Sequence, residues 1–222
     1  WHLAKIGTPA AWDTTPGSSS VIIAILDTGV DSTHPDLSTK IVAGWNTYNN
    51  NNVTLDVYGH GTAVAGTAAA TMNNSIGVAG VAGKCSIMPI RISDTSGYGY
   101  SSTIASGLIW AADHGARVAN ISYALNSNAT VQSAAQYFVA KGGVVTMSAG
   151  NSGTLDTNVN NPYIITVSAT GSSDTLASWS TYGSTVDVAA PGVSILTTNN
   201  GGGYGSWSGT SFSAPVTAGV AA

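Results

Sequence analysis

The chain contains no glutamate, a single cysteine and little charge of either sign. All ten acidic residues are aspartates, charged residues make up 7% of the 222, and the six basic residues Lys5, Lys40, Lys84, Arg91, Arg117 and Lys141 are scattered. Scattered cations form no patch able to neutralise a run of phosphates, so nucleic acid is excluded as a partner. The lone Cys85 permits no intrachain disulfide, and its place just ahead of the apolar run 87–92 makes it a small buried hydrophobe. No stretch approaches the roughly 20 apolar residues of a membrane span, so no membrane role is expected. The four histidines, His2, His34, His60 and His114, lack the close pairing of a metal-dependent hydrolase.

What is present suits one buried core. With 43% hydrophobic residues the chain is long enough for a single domain over 1–222. Continuous apolar runs bounded by turn residues recur at 21–27, 87–92, 118–123, 143–148 and 164–169, the pattern of strands buried on both faces. Between them lie helix candidates at 60–70, 102–114 and 131–141. The alternation predicts an α/β fold, doubly wound, with a mostly parallel sheet and helices on both faces. Asn49–Asn52 and Asn199–Gly203 read as solvated turns.

Four short motifs carry chemistry. In Ser208-Gly209-Thr210-Ser211-Phe212-Ser213-Ala214-Pro215 a serine stands where a tight turn enters a small-residue helix. Asp27 ends an apolar strand in Leu26-Asp27-Thr28-Gly29, His60 opens a helix in Gly59-His60-Gly61-Thr62, and Asn151 lies in Ala149-Gly150-Asn151-Ser152-Gly153. Each alone has a plain reading: a turn and cap for Gly-Thr-Ser, a turn or an aspartic-protease signature for Asp-Thr-Gly, an ordinary surface residue for the histidine. Together they supply what a weak serine nucleophile needs, namely a base, an orienting group for it and an oxyanion donor. The chain order Asp, His, Ser is that of the subtilisin arrangement, distinct from chymotrypsin and the α/β-hydrolases.

On these motifs, with Ile6-Gly7-Thr8-Pro9, His34-Pro35-Asp36-Leu37, Asn120-Ile121-Ser122 and Val188-Ala189-Ala190-Pro191-Gly192, the chain resembles the subtilisin family (S8, subtilases), in its thermitase-like secreted branch. The resemblance implies a serine endopeptidase with Ser211 as nucleophile, His60 as base and then acid, Asp27 as its orienting carboxylate and Asn151 as oxyanion donor. It assigns substrate contacts to Gly97, Tyr98 and Gly99 on one rim, to Ser122, Tyr123 and Ala124 on the other, and to Ser148, Ala149 and Gly150. Uncharged rims favour an apolar or aromatic P1 side chain, with protein or peptide chains as substrates. It also implies a structural calcium ion held by Asp36 and Asn74 side chains and the carbonyls of Met72, Ile76 and Val78. A folding propeptide, secretion to the extracellular space and a monomeric state are expected on the same ground.

The chain departs from the family pattern in places. Ala63 and Val216 stand where histidines are usual, Ala124 replaces a rim glycine, and the stretch 153–162 is short. Ending at Ala222 within the serine helix, the sequence reads as a catalytic domain incomplete at its C-terminus. The rival expectation is therefore a catalytically impaired fragment, or a peptide-binding protein that keeps the fold.

Overall fold

Strand β1 (Ile22–Asp27) shows why the sheet is parallel and central: five of its six residues are buried, so no face is left for water. A computed structural model describes all residues, 1–222. Ahead of β1 lie two short helices, α1 (His2–Lys5) and α2 (Thr8–Trp12). After it come β2 (Trp45–Asn46), α3 (His60–Ala69), β3 (Ser86–Arg91), α4 (Ser101–Asp113), β4 (Val118–Ile121), α5 (Ala129–Ala140) and β5 (Val144–Ser148). The remainder is β6 (Leu155–Asp156), β7 (Ile165–Thr170), β8 (Tyr182–Gly183), β9 (Val188–Pro191), β10 (Ile195–Asn199), β11 (Gly203–Trp207) and α6 (Thr210–Ala221).

Seven strands form one sheet in the order β2-β3-β1-β4-β5-β7-β9, every pairing parallel. On one side of β1 lie β3 and then, outermost, β2, and on the other side the chain builds outward through β4, β5, β7 and β9. The order therefore reverses between β1 and β4. Open α/β sheets bind ligands outside the carboxyl ends of their strands at such a switch point.

The period of two along β1 divides the core. Ala24 and Leu26 point to a cluster that includes Ile90, Leu108, Phe138 and Met147, under α4 and α5. Ile23 and Ile25 point to the other face, where Val64, Ala65, Ala68 and Phe212 bring in α3 and α6. Cys85 is fully buried in that second cluster.

The five buried strands and three helices lie where the sequence pattern puts them, with small shifts. α5 starts at Ala129, two residues ahead of the expected 131, because Asn128 Oδ1 caps it by accepting from the N–H groups of Thr130 (3.1 Å) and Val131 (3.2 Å). The turn at 199–203 closes an antiparallel hairpin, β10 with β11, that the apolar pattern did not announce. β10 is anchored on α3: Thr197 and Thr198 hydroxyls donate to the carbonyls of Ala63 (2.8 Å) and Thr62 (2.7 Å). No helix is long and apolar enough to cross a membrane.

Candidate active site

Four neighbouring strands deliver the expected site residues to one edge of the sheet. Asp27 ends β1, Gly97–Gly99 follow β3, Ser122–Ala124 follow β4, and Ser148–Asn151 close and follow β5. His60 and Ser211 come from the first turns of α3 and α6, which pack on that face. Thr28, Tyr58, His60, Ser96, Gly97, Ser122 and Tyr123 line a cleft there.

Asp27 and His60 are in direct contact, with 2.8 Å between Oδ1 and Nδ1. Asp27 Oδ1 also accepts from the Thr28 N–H at 2.8 Å, and its buried Oδ2 has no partner. The acceptor carboxylate therefore requires the imidazole hydrogen on Nδ1 and leaves Nε2 as a base. The approach needs glycine twice. Gly59 caps α3 with φ 103°, and a Cβ on Gly61 would lie 2.1 Å from the Gly29 carbonyl oxygen and 3.0 Å from Asp27 Cβ. Burial alone would push the His60 imidazole down, but the charge and hydrogen bond of Asp27, with the charge of Asp56, outweigh it and raise the group above 6.5. Phe212 and Trp207 pack edge-on to the ring, with centroids at 5.7 and 6.4 Å.

Ser211 occupies the first turn of α6, where backbone N–H groups have no intrahelical partner. Pro215, inside the helix, has no N–H to give the carbonyl four residues back, which is that of Ser211. The Ser122 hydroxyl takes its place, donating to the Ser211 carbonyl at 2.8 Å. Asn120 Nδ2 donates to that hydroxyl (3.0 Å) and Thr146 Oγ1 to Asn120 Oδ1 (3.0 Å), so β4 and β5 hold the serine turn through a buried chain of bonds. The Ser211 hydroxyl donates to the Ser122 carbonyl at 3.3 Å, and no hydrogen bond joins it to His60. Catalytic hydrogen bonds are often loose without substrate.

Asn151 is oriented from behind. Its Oδ1 accepts from both the N–H and the hydroxyl of Thr210, each at 2.9 Å, which leaves the Nδ2 hydrogens free. Thr210 Oγ1 accepts in turn from the Gly150 N–H (3.1 Å). The two free donors, Asn151 Nδ2 and the Ser211 N–H, belong to residues flanking Gly209: a Cβ built there would lie 3.6 Å from the first and 3.7 Å from the nitrogen of the second.

The other expected residues fall as follows. Tyr98 is 63% exposed, while Tyr123 reaches across the cleft and donates from its hydroxyl to the Gly97 carbonyl at 2.8 Å, joining the two rims. Burial pushes the Tyr123 phenol far up. Ser148 and Ala149 are buried, the Ala149 N–H bonded to the Val167 carbonyl (3.0 Å), and the Gly150 carbonyl accepts from Thr181 (2.9 Å). Away from the cleft, Asp36 is fully buried and touches Asn74 (Oδ1 to Nδ2, 2.6 Å) and the Val78 N–H (Oδ2, 2.9 Å); Met72 and Ile76 belong to the same loop. Tyr58, Thr28, Thr210 and Asp56 were not among the residues singled out from the sequence. Their only signal is adjacency to Asp27, His60 and Ser211.

The model of the subtilase family, Peptidase S8, matches residues 18–222. The chain is 46% identical over 220 residues to thermitase of Thermoactinomyces vulgaris, covering 98% of this chain and 78% of that protein. It is 45% identical over 218 residues to a thermophilic serine proteinase of Bacillus sp. (strain AK1), covering 97% of this chain and 54% of that one. The solved structure of a cold adapted subtilisin-like serine proteinase superposes with a TM-score of 0.81 at 33% identity, over 91% of this chain and 75% of that chain. A protease from Pseudoalteromonas arctica superposes with a TM-score of 0.85 at 32% identity, over 96% and 79%. With sequence, sheet order and cleft in agreement, the chain belongs to the subtilase family of serine endopeptidases.

Proposed function

We propose that this chain hydrolyses internal peptide bonds of proteins through a serine acyl-enzyme, with Asp27, His60, Ser211 and Asn151 as its chemical groups. The observation that carries this reading is the Asp27–His60 contact of 2.8 Å beside a helix turn whose Ser211 N–H, with the Asn151 amide, is free to donate. Ser211 Oγ attacks the scissile carbonyl while His60 Nε2 takes its proton, and Asp27 stabilises the imidazolium without accepting the proton. Negative charge moves to the carbonyl oxygen, where Asn151 Nδ2 and the Ser211 N–H meet it. As the C–N bond breaks, His60 returns the proton to the leaving amine, and water then repeats the sequence to release the acid.

The substrate lies extended between Gly97–Gly99 and Ser122–Ala124, adding as a strand to main chain on either side. Ser148, Ala149 and Gly150 form the wall of the P1 pocket. Rims without charge favour an apolar or aromatic P1 residue. Export as a monomer with a folding propeptide fits the same reading.

A calcium ion is proposed at Asp36. The residues present fit it: a fully buried carboxylate beside the Asn74 carboxamide, in a loop where Asn73, Ser75 and Gly77 take φ of 59°, 65° and 51°. Non-glycine residues such as Asn73 and Ser75 seldom take that left-handed region, so the surrounding structure must hold the loop there. Asp36 and Asn74 with the carbonyls of Met72, Ile76 and Val78 would supply five oxygen ligands of the kind calcium takes, six if Asp36 binds through both oxygens, and the ion would brace the loop without entering the chemistry.

The test is labelling with a fluorophosphonate read by peptide mass spectrometry. Modification at Ser211 that disappears in His60→Ala supports the assembled triad. A folded protein that is not labelled, and does not cut denatured casein, overturns it in favour of peptide binding alone.

A further inference from the structure

The most densely bonded carboxylate near the cleft is not Asp27 but Asp56, four residues ahead of His60 and 4% exposed. Its Oδ1 accepts from the Thr28 hydroxyl (2.7 Å) and from the N–H groups of Tyr58 (3.0 Å) and Gly59 (2.7 Å). Its Oδ2 accepts from the N–H (2.8 Å) and the hydroxyl of Thr62. Thr28 Oγ1 in turn accepts from the Gly61 N–H at 2.9 Å, and Thr62 Oγ1 from the Asp31 N–H at 2.9 Å.

This arrangement replaces a missing cap. Gly59 has no side chain to satisfy the orphan N–H groups of the first turn of α3. Asp56 and Thr28 do so from outside, taking Gly61 and Thr62 and also the N–H of Gly59 itself. Because Thr28 adjoins Asp27 and Gly59 adjoins His60, one carboxylate grips both partners of the 2.8 Å contact from behind.

We propose that Asp56 is a positioning residue for peptide hydrolysis: its carboxylate fixes the turn that carries His60 against the strand end that carries Asp27, and its negative charge favours the imidazolium formed during attack. The inference rests on His60 being the base. The charged groups acting on the imidazole are Asp27 from β1 and Asp56 from the loop ahead of α3. The phenols of Tyr58 and Tyr123 line the same cleft, and α6 and β11 pack the uncharged rings of Phe212 and Trp207 against the imidazole. Removing the Asp56 charge therefore leaves Asp27 as the sole charge opposing the desolvation of His60.

The experiment is a proton NMR titration of His60 in the non-cleaving Ser211→Ala protein, alone and combined with Asp56→Asn or Thr28→Val. With Asp56→Asn, His60 should titrate at lower pH and its downfield Nδ1–H signal should exchange faster. Thr28→Val keeps the charge, so it should speed exchange with little change in the titration. On the Ser211 background, either change should lower kcat by about 10- to 100-fold with KM nearly unchanged, and Asp56→Asn should move the acid limb of kcat/KM to lower pH. A folded Asp56→Asn protein with wild-type titration, exchange and kcat overturns the proposal. If that variant does not fold, Thr28→Val decides: unchanged exchange and kcat overturn it. Wild-type protein that turns over no substrate would overturn the protease reading instead, and the NMR result would stand apart from it.

Discussion

The two halves of the cleft are held by different means. On the base side the contacts made are short and, Asp27 Oδ2 apart, the carboxylate oxygens are all bonded: Asp27 meets His60 at 2.8 Å, and Asp56 behind them accepts five hydrogen bonds. On the nucleophile side the backbone is closed, with the Ser211 carbonyl bonded to Ser122 and the Asn151 oxygen to Thr210, while the reacting groups are free. The Ser211 hydroxyl has only a 3.3 Å contact, and the two oxyanion donors have none. Preorganisation is thus applied to the groups that must not move and withheld from those that must meet substrate. A free donor costs nothing at an open cleft, because water occupies it until a carbonyl arrives.

The largest way to break this contrast is to remove a reacting atom. Ser211→Ala should abolish labelling and lower kcat by about 10⁶-fold, the scale already established for subtilisin itself, and His60→Ala should do the same with the fold intact by circular dichroism. Asn151→Ala should come next. It removes one oxyanion donor and the acceptor for Thr210, and a fall of roughly 10²- to 10³-fold in kcat with a small change in KM is expected, again a scale set by subtilisin. A matching rise in KM would show that Asn151 holds the ground state equally well.

Ser122→Ala tests the backbone side. It leaves the Ser211 carbonyl without the donor that Pro215 cannot supply, so a loss of about 1–3 kcal/mol in urea unfolding is expected, with a lower kcat. A variant as stable as the parent would mean that the serine turn needs no such bond. Calcium removal acts further away still. If the Asp36 loop holds the ion, chelation should lower the melting temperature, by about 2.7 kcal/mol of lost linkage when calcium had stood at 100 times its dissociation constant. In Asp36→Asn the melting point should no longer respond to chelator.

The smallest effect is in pH. His60 is raised above its unfolded 6.5, so its pairing with Asp27 stabilises the fold fully below pH 6.5 and loses that contribution as pH rises through the folded value. Melting temperatures of Ser211→Ala with and without His60→Gln should differ most near pH 5.5 and converge toward pH 9. Divergence at alkaline pH would reverse the assigned sign.

Much of this was legible beforehand. β1, β3, β5 and β7 begin and end within a residue of the apolar runs, since a strand buried on both faces can hold almost nothing but apolar residues. The hairpin of β10 and β11 was not, because Gly203 to Trp207 are mostly exposed and glycine-containing, and β10 is anchored to α3 through the Thr197 and Thr198 hydroxyls. Asp27, His60, Ser211 and Asn151 stood out by residue type and order. Asp56 did not: an aspartate before a glycine turn is common, and nothing local distinguishes one that accepts five bonds.

The amino-acid sequence by itself determined the element types, the parallel sheet and the residues able to do chemistry, because these follow from burial pattern and side-chain type over short stretches. Tertiary structure alone decided which atoms meet. His60 reaches Asp27 across 33 residues, and the Ser122 hydroxyl finds the Ser211 carbonyl across 89. Contacts of that kind depend on sheet order and on how closely small residues such as Gly61 let a helix approach a strand, and no local pattern encodes either.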